Sequence, residues 1–257
     1  MEDSHRQRIL EQFTQQAVPF SEMKGHTSQE SLDLVVQLSK ADSRDEVLDV
    51  ACGPGIVACA FAPKVRRVTG IDLTPAMIER AKKLQKEKGF SNLDWNVGDV
   101  QPLPYNSGSF SLAVTRYSFH HFPDPSEVLK EMIRVTSPGG RVMIVDVFTS
   151  EEPGQAEAYN RLEKLRDPSH VRALSLKELL DLLQKEGLQN VQKAFYKVEM
   201  ELEEQLRASF PNPGDADKIR ALMKEDLGRN LLGLGVRQKT GKIYFAYPIV
   251  ILIGTRI

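Results

Sequence analysis

The chain has 257 residues, enough to bury a full core and near the upper end of single-domain size. Its 34 basic residues balance 35 acidic ones, so there is no chain-wide basic footprint for nucleic acid or an anionic membrane. The two cysteines, Cys52 and Cys59, lie in an apolar segment without CxxC spacing and read as buried free thiols in a reducing, cytoplasmic setting.

The opening "MEDSHRQRILEQF" is charged throughout and holds no signal-peptide core. Next comes "QFTQQAVPFSEMKGH", where Phe13, Phe20 and Met23 alternate with polar residues, a composition suited to folding over the mouth of a site. From Val47 the chain alternates short β-branched runs with helical ones. Strands are expected at 47–50, 67–71, 93–97, 112–115 and 142–148. "VLDVACGPGIVACAF" joins the first strand to a helix through an almost side-chain-free turn, which lets backbone approach a ligand closely. "TPAMIERAKKLQKEKG" has Thr74 as N-cap, Pro75 at the first helical position and Gly89 near its end. "DPSEVLKEMIRVTSPGG" pairs Asp124 with Glu127 in a capping-box pattern, and Pro138-Gly139 suits a type II turn.

Strand-helix-strand repetition predicts an α/β fold with a mostly parallel sheet and helices on both faces. Beyond Phe148 the rhythm changes. Ser175 and Glu178 form a second capping box, a strand is expected near 191–200, and a charged helical segment near 201–226. "KIYFAYPIVILIGTRI" closes the chain; its apolar run is too short to span a bilayer and reads as a buried final strand, antiparallel because no crossover helix leads into it.

Gly53-x-Gly55-x-x-Ala58 satisfies a dinucleotide pattern, and Asp72 stands where a ribose-binding acid would be. Three features favour a ligand without phosphate. Pro54 offers no N–H to a phosphate cradle. Asp49, at the strand end, would repel a pyrophosphate but attract an ammonium. Gly98-Asp99 puts another acceptor after the third strand, near the edge of a base. A nucleoside that carries an amino acid, S-adenosylmethionine, satisfies all three.

In this pattern the chain resembles the class I S-adenosylmethionine-dependent methyltransferases (type 11 domain), in the branch related to ubiquinone/menaquinone-biosynthesis C-methyltransferases. The resemblance covers roughly 47–149 and rests on "VLDVACGPG", "VTGIDLTPAMIERAKK", "NVGDVQPLPYNSGSFSLAV" and "HHFPDPSEVLKEMIRVTSPGGRVMIVD" in matching order. It implies a Rossmann-like, seven-stranded, mostly parallel sheet with an antiparallel last strand. One methyltransferase domain, 1–257, would then comprise an N-terminal cap (1–40), a cofactor-binding core (45–150) and a lid insertion (200–240).

By resemblance, Asp49, Ala51, Gly53 and Gly55 would line the methionine part of S-adenosylmethionine. Asp72 would grip both ribose hydroxyls, with Leu73 and Met77 beside the adenosine. Asp99, after Gly98, would accept from the adenine amino group, Val100 would pack near the ring, and Thr115 and Arg116 would border the tail. Val57 stands where many relatives have a third glycine. "RDPSHVRALS" is also similar to this wider group, without a role attached.

Methyl transfer needs alignment above all, and a base only where the acceptor is not already nucleophilic. Tyr117, His120 and His121 follow the fourth strand as candidates, with Asp146 near the same sheet edge; His26 and His170 are weaker ones. The expected acceptor is a small apolar or aromatic molecule methylated on carbon or oxygen, with no metal and no nucleic-acid partner. The other readings are an NAD(P)-dependent oxidoreductase and a non-catalytic nucleoside-binding protein.

Overall fold

Alternating side chains build a sheet that is buried on both faces. In β1 (Glu46–Val50), Val47 packs against one helical layer, and Leu48 and Val50 against the other. The same division recurs in β5 (Thr136–Val147), where Met143 and Val145 oppose Val142 and Ile144. The computed structural model describes residues 2–22 and 28–257, with side chains from 4 to 19 and from 28 onward.

The remaining strands are β2 (Arg67–Asp72), β3 (Leu93–Val97), β4 (Phe110–Arg116), β6 (Gln189–Glu201), β7 (Arg237–Lys239) and β8 (Lys242–Thr255). They order as β3-β2-β1-β4-β5-β8-β6, with β7 paired to β8. The pairs among β1 to β5 are parallel, whereas β8 runs antiparallel to both β5 and β6. The ordered path has the seven strands expected, and one more lies off it, making 8 in all. The extra one is the three-residue β7, too short to show as an apolar run.

One face carries α2 (Gln29–Ser39), α3 (Ile56–Phe61), α6 (Pro153–Arg166), α8 (Leu202–Ser209) and α9 (Asp215–Glu225), through residues such as Val35, Phe61, Leu162 and Met223. The other carries α5 (Pro125–Val135) and α7 (Leu176–Lys185), through Leu129, Met132, Leu179 and Leu183. α4 (Pro75–Lys88) packs on β2 and β3, and α1 (Glu2–Glu22) lies against α4 and α8. No helix among the described residues is long and apolar enough to cross a membrane.

The local signals are realised unevenly. Asp124 accepts from the N–H groups of Ser126 and Glu127, but the Glu127 carboxylate binds Lys130 Nζ at 2.6 Å, so only half of that capping box forms. Ser175 and Glu178 form theirs completely. Thr74 makes no side-chain cap; the Asp72 carboxylate takes its N–H instead, at 2.8 Å. Gly89 ends α4 at φ 73°, as expected. Pro138-Gly139 is no free turn: it lies within β5, where a register shift sets Thr136 opposite Phe110 and Arg141 opposite Leu112.

Candidate functional site

β1 and β4 are neighbours, although the chain makes β2 and β3 between them. Ligands of such sheets bind where the strand order reverses, beyond the carboxyl ends of the strands. A cavity of about 700 Å³ lies there, bordered by the β1–α3 turn, the end of β2 and the loops after β3 and β4. α1 covers it with His5, Arg6, Ile9 and Phe13.

The turn after β1 spends its donors inside the protein. Cys52 N–H binds Ile71 O at 3.0 Å, Gly53 N–H binds Asp72 Oδ2 at 2.8 Å, and Gly55 N–H binds Cys52 O at 3.0 Å. Pro54 has no N–H. These N–H groups are therefore not free to cradle a pyrophosphate. The two glycines do different work. A Cβ on Gly53 (φ +52°) would meet nothing within 4 Å, and Gly53 borders the cavity. A Cβ on Gly55 (φ +79°) would lie 2.6 Å from Trp95 Cη2 and 2.8 Å from Ala81 Cβ. Gly55 is a packing residue between α3 and α4 and lies off the cavity lining.

Two carboxylates flank this turn. Asp72 borders the cavity, and Gly53 and Thr74 donate one backbone N–H to each of its oxygens. Each oxygen keeps an acceptor position, so a vicinal diol fits there. Burial raises the pKa of Asp72, against its backbone hydrogen bonds. Asp49 lies off the lining and accepts Ala58 N–H at 3.0 Å, at the start of α3. Burial, with the Asp72 charge adding, pushes its pKa up to about 8 against the Ala58 N–H and Arg116.

Ala51, Leu73, Met77 and Val100 also border the cavity. Asp99 does too, but its Oδ1 closes an Asx turn on Gln101 N–H at 3.2 Å and its Oδ2 pairs with Arg6 Nη1 at 3.4 Å. Gly98 is a packing position, where a Cβ would come 3.3 Å from Ile71 Cδ1. Thr115 is off the lining; its hydroxyl donates to Val50 O at 2.8 Å and tethers β4 to β1. Buried Arg116 borders the cavity; its Nη2 donates to Ser31 Oγ at 3.2 Å and Tyr117 OH at 3.1 Å.

Tyr117 borders the cavity in a left-handed conformation (φ 57°), its hydroxyl 2.6 Å from that of Tyr196 on β6. Burial raises its pKa well above that of an ordinary phenol. The shift favours the protonated phenol.

Asp146 organises the 3₁₀ turn Phe119–His121. It accepts Phe119 N–H at 2.6 Å and His120 N–H at 3.2 Å, and holds His120 Nδ1 at 2.6 Å. His120 is thereby drawn away from the cavity, which His121 borders. Burial opposes protonation of His120, but the Asp146 charge outweighs it and raises the pKa. His121 moves the other way, lowered by burial and then by His120. Its Nδ1 lies 3.1 Å from Ser169 O, its ring meets Phe13 edge-on at 5.0 Å, and His5 Nε2 donates to its carbonyl at 2.9 Å.

Sequence reasoning overlooked His5, Arg6, Ile9 and Tyr196, whose distance along the chain hid their place at the site. His170 is buried off the lining, with Nε2 on Asn160 Oδ1 at 2.8 Å. The side chains of Phe20, Met23 and His26 lie outside the described residues. The segment expected as a second lid, 200–240, contributes nothing to the described lining. It braces α1 instead: Gln12 and Gln16 Nε2 donate to Ser209 O at 2.5 and 3.1 Å.

Residues 48–144 match the family described as "Methyltransferase domain". A relative from Bacillus subtilis (strain 168), the uncharacterized methyltransferase YcgJ, is 36% identical over 166 residues, 65% of this chain and 66% of its own. Its crystal structure superposes with a TM-score of 0.82 and 27% identity, over 88% of this chain and 98% of that one. A demethylmenaquinone methyltransferase from Lactococcus lactis subsp. lactis is 34% identical over 51% of this chain and 54% of its own. The chloroplastic tocopherol O-methyltransferase of Arabidopsis thaliana is 31% identical over 57% and 44%. In sequence, the chain spans less than two thirds of each of these curated relatives.

Proposed function

We propose that this protein, whose residues 48–144 match the methyltransferase domain family, transfers a methyl group from S-adenosylmethionine to carbon or oxygen of a small apolar or aromatic acceptor. The observation that carries this reading is Asp72 at the cavity wall, one acceptor position open on each oxygen, beside a turn whose Cys52, Gly53 and Gly55 N–H groups are bonded inside the protein.

S-adenosylmethionine supplies an activated methyl group. Asp72 would accept both ribose hydroxyls, and the open space at Gly53 leaves room for the backbone to approach. The buried guanidinium of Arg116 would hold the carboxylate of the amino-acid tail, and the tail's ammonium would draw Asp49, behind the turn, toward its ionised form. Leu73, Met77 and Val100 would flank the adenine. Asp99 would reach its amino group only in competition with Arg6.

α1 acts as the lid: Ile9 and Phe13 exclude water and give the acceptor an apolar wall. His121, neutral and beside Phe13, would take the acceptor's proton, while Tyr117 would donate a hydrogen bond to it. The quinone and tocopherol relatives support an aromatic ring as acceptor. The test is a panel of phenols and hydroquinones incubated with S-adenosylmethionine and read by mass spectrometry. We expect methylated product and S-adenosylhomocysteine together with at least one member. Methylation confined to nucleic acid or protein would overturn the acceptor class.

A further inference from the structure

The segment Arg166-Asp167-Pro168-Ser169-His170, far from the family-matching core, packs behind His121. From this geometry we infer that Ser169 and Asp167 are positioning residues that prepare His121 to accept a proton; the inference rests on His121 as the base in the function proposed above.

His121 Nδ1 lies 3.1 Å from the carbonyl oxygen of Ser169 and 3.2 Å from its hydroxyl. A carbonyl only accepts, so the ring proton sits on Nδ1 and the lone pair is left on Nε2. The Ser169 hydroxyl accepts from the same side and passes its own proton toward Asp167 Oδ1, 2.5 Å away. Ser169 N–H also binds Asp167 Oδ1, at 2.9 Å, so the carboxylate fixes the loop as well as the hydroxyl. Gln16 of the lid helix reaches Asp167 Oδ2 at 3.5 Å, and Arg166 Nη1 stands 3.7 Å from the same oxygen.

The chain therefore runs from ring to hydroxyl to carboxylate, all of it buried. When Nε2 takes a proton from the acceptor, His121 becomes an imidazolium with both nitrogens protonated. No second proton needs to leave. Burial opposes ionisation of Asp167, but His121, Arg166 and the two Ser169 hydrogen bonds together lower its pKa, so its role is to stabilise the new cation, not to receive the proton. The other charged or titratable groups around His121 are His5 from α1, His120 with its Asp146, His170 and Arg166. Of these, His120 and Arg166 resist protonation of His121, whereas Asp167 favours it.

The test is long-range ¹H–¹⁵N NMR on the full chain labelled with ¹⁵N-histidine, with His121 assigned through its loss in His121→Gln. We expect His121 as the Nδ1–H tautomer, titrating below an ordinary histidine. Asp167→Asn should move that titration down by about one further pH unit, because an opposite charge has gone. Ser169→Ala should weaken the tautomer preference, and Ser169→Thr should restore it. An Nε2–H tautomer in the unmodified protein, which needs no variant to fold, would overturn the inference. So would an unmoved titration in a folded Asp167→Asn. Neither readout depends on turnover, so a failure to methylate any acceptor would count against the function proposed above and leave this measurement standing.

Discussion

The two ends of the cavity are made differently. Under β1 and β2 the wall is backbone and a carboxylate: a turn whose Cys52, Gly53 and Gly55 N–H groups are bonded internally, and Asp72 held by Gly53 of that turn and by Thr74 after β2. Under α1 the wall is side chains from segments far apart in sequence, namely Ile9, Phe13, Tyr117 and His121. The parts of the first end lie close together along the chain, as suits the cofactor end of the proposed function. The second is assembled by tertiary packing, the usual place for specificity to vary.

The largest effect should fall at the assembled end. His121→Ala is expected to lower kcat ~100-fold or more, as loss of a positioned base does, while S-adenosylhomocysteine binds as before by calorimetry. Equal turnover in that variant would remove the base and with it half of the contrast. At the other end, Asp72→Ala should weaken cofactor binding by ~2 kcal/mol or more, because hydrogen bonds to a charged acceptor vanish. Circular dichroism must accompany it, since Gly53 and Thr74 lose their partner as well.

Asp49 sharpens the comparison through pH. Burial pushes its folded-state pKa up to about 8, from an ordinary 3.8. The folded protein therefore binds the proton more tightly than the unfolded chain. That contribution to stability is complete below the unfolded pKa and fades as the pH rises toward 8. Denaturant titrations at pH 5 and pH 8 should show the unliganded protein losing roughly 4 kcal/mol relative to Asp49→Asn. A constant difference between the two proteins would mean the carboxyl is ionised throughout.

The glycines separate fold from binding. Gly55→Ala forces a Cβ onto Trp95 and Ala81, so it should cost ~1–3 kcal/mol of stability and lower Tm. Gly53→Ala faces open cavity and should chiefly weaken cofactor affinity, with a smaller left-handed strain. The smallest effect belongs to Arg6→Ala. Its exposed pair with Asp99 is worth under about 1 kcal/mol, and the change in affinity should shrink further with salt.

The contrast also explains what the sequence could tell. Strands, the antiparallel β8, Gly89 at the end of α4 and the turn after β1 are written in neighbouring residues, and they were legible. So was the difference between Pro54 and a phosphate cradle. "FHH" was not. Adjacent histidines on a 3₁₀ turn diverge, and only Asp146, on a strand formed later in the chain, decides that His120 turns away and His121 does not. Asp49 and Thr115 looked like lining residues because strand ends near a turn usually are; burial and a backbone partner explain why each faces the protein. The N-terminal composition suggested a segment folded over the mouth of a site, yet nothing local could say that His5 of α1 would meet the His121 carbonyl. The 200–240 segment also lies outside the core pattern, but its Ser209 packs against α1 and it adds nothing to the described lining.

Titration calorimetry with S-adenosylhomocysteine and, separately, NAD⁺ tests the central claim most directly. The account predicts one-to-one binding of the first, markedly weakened in Asp72→Ala, and no heat from the second. Heat from the dinucleotide alone would contradict it.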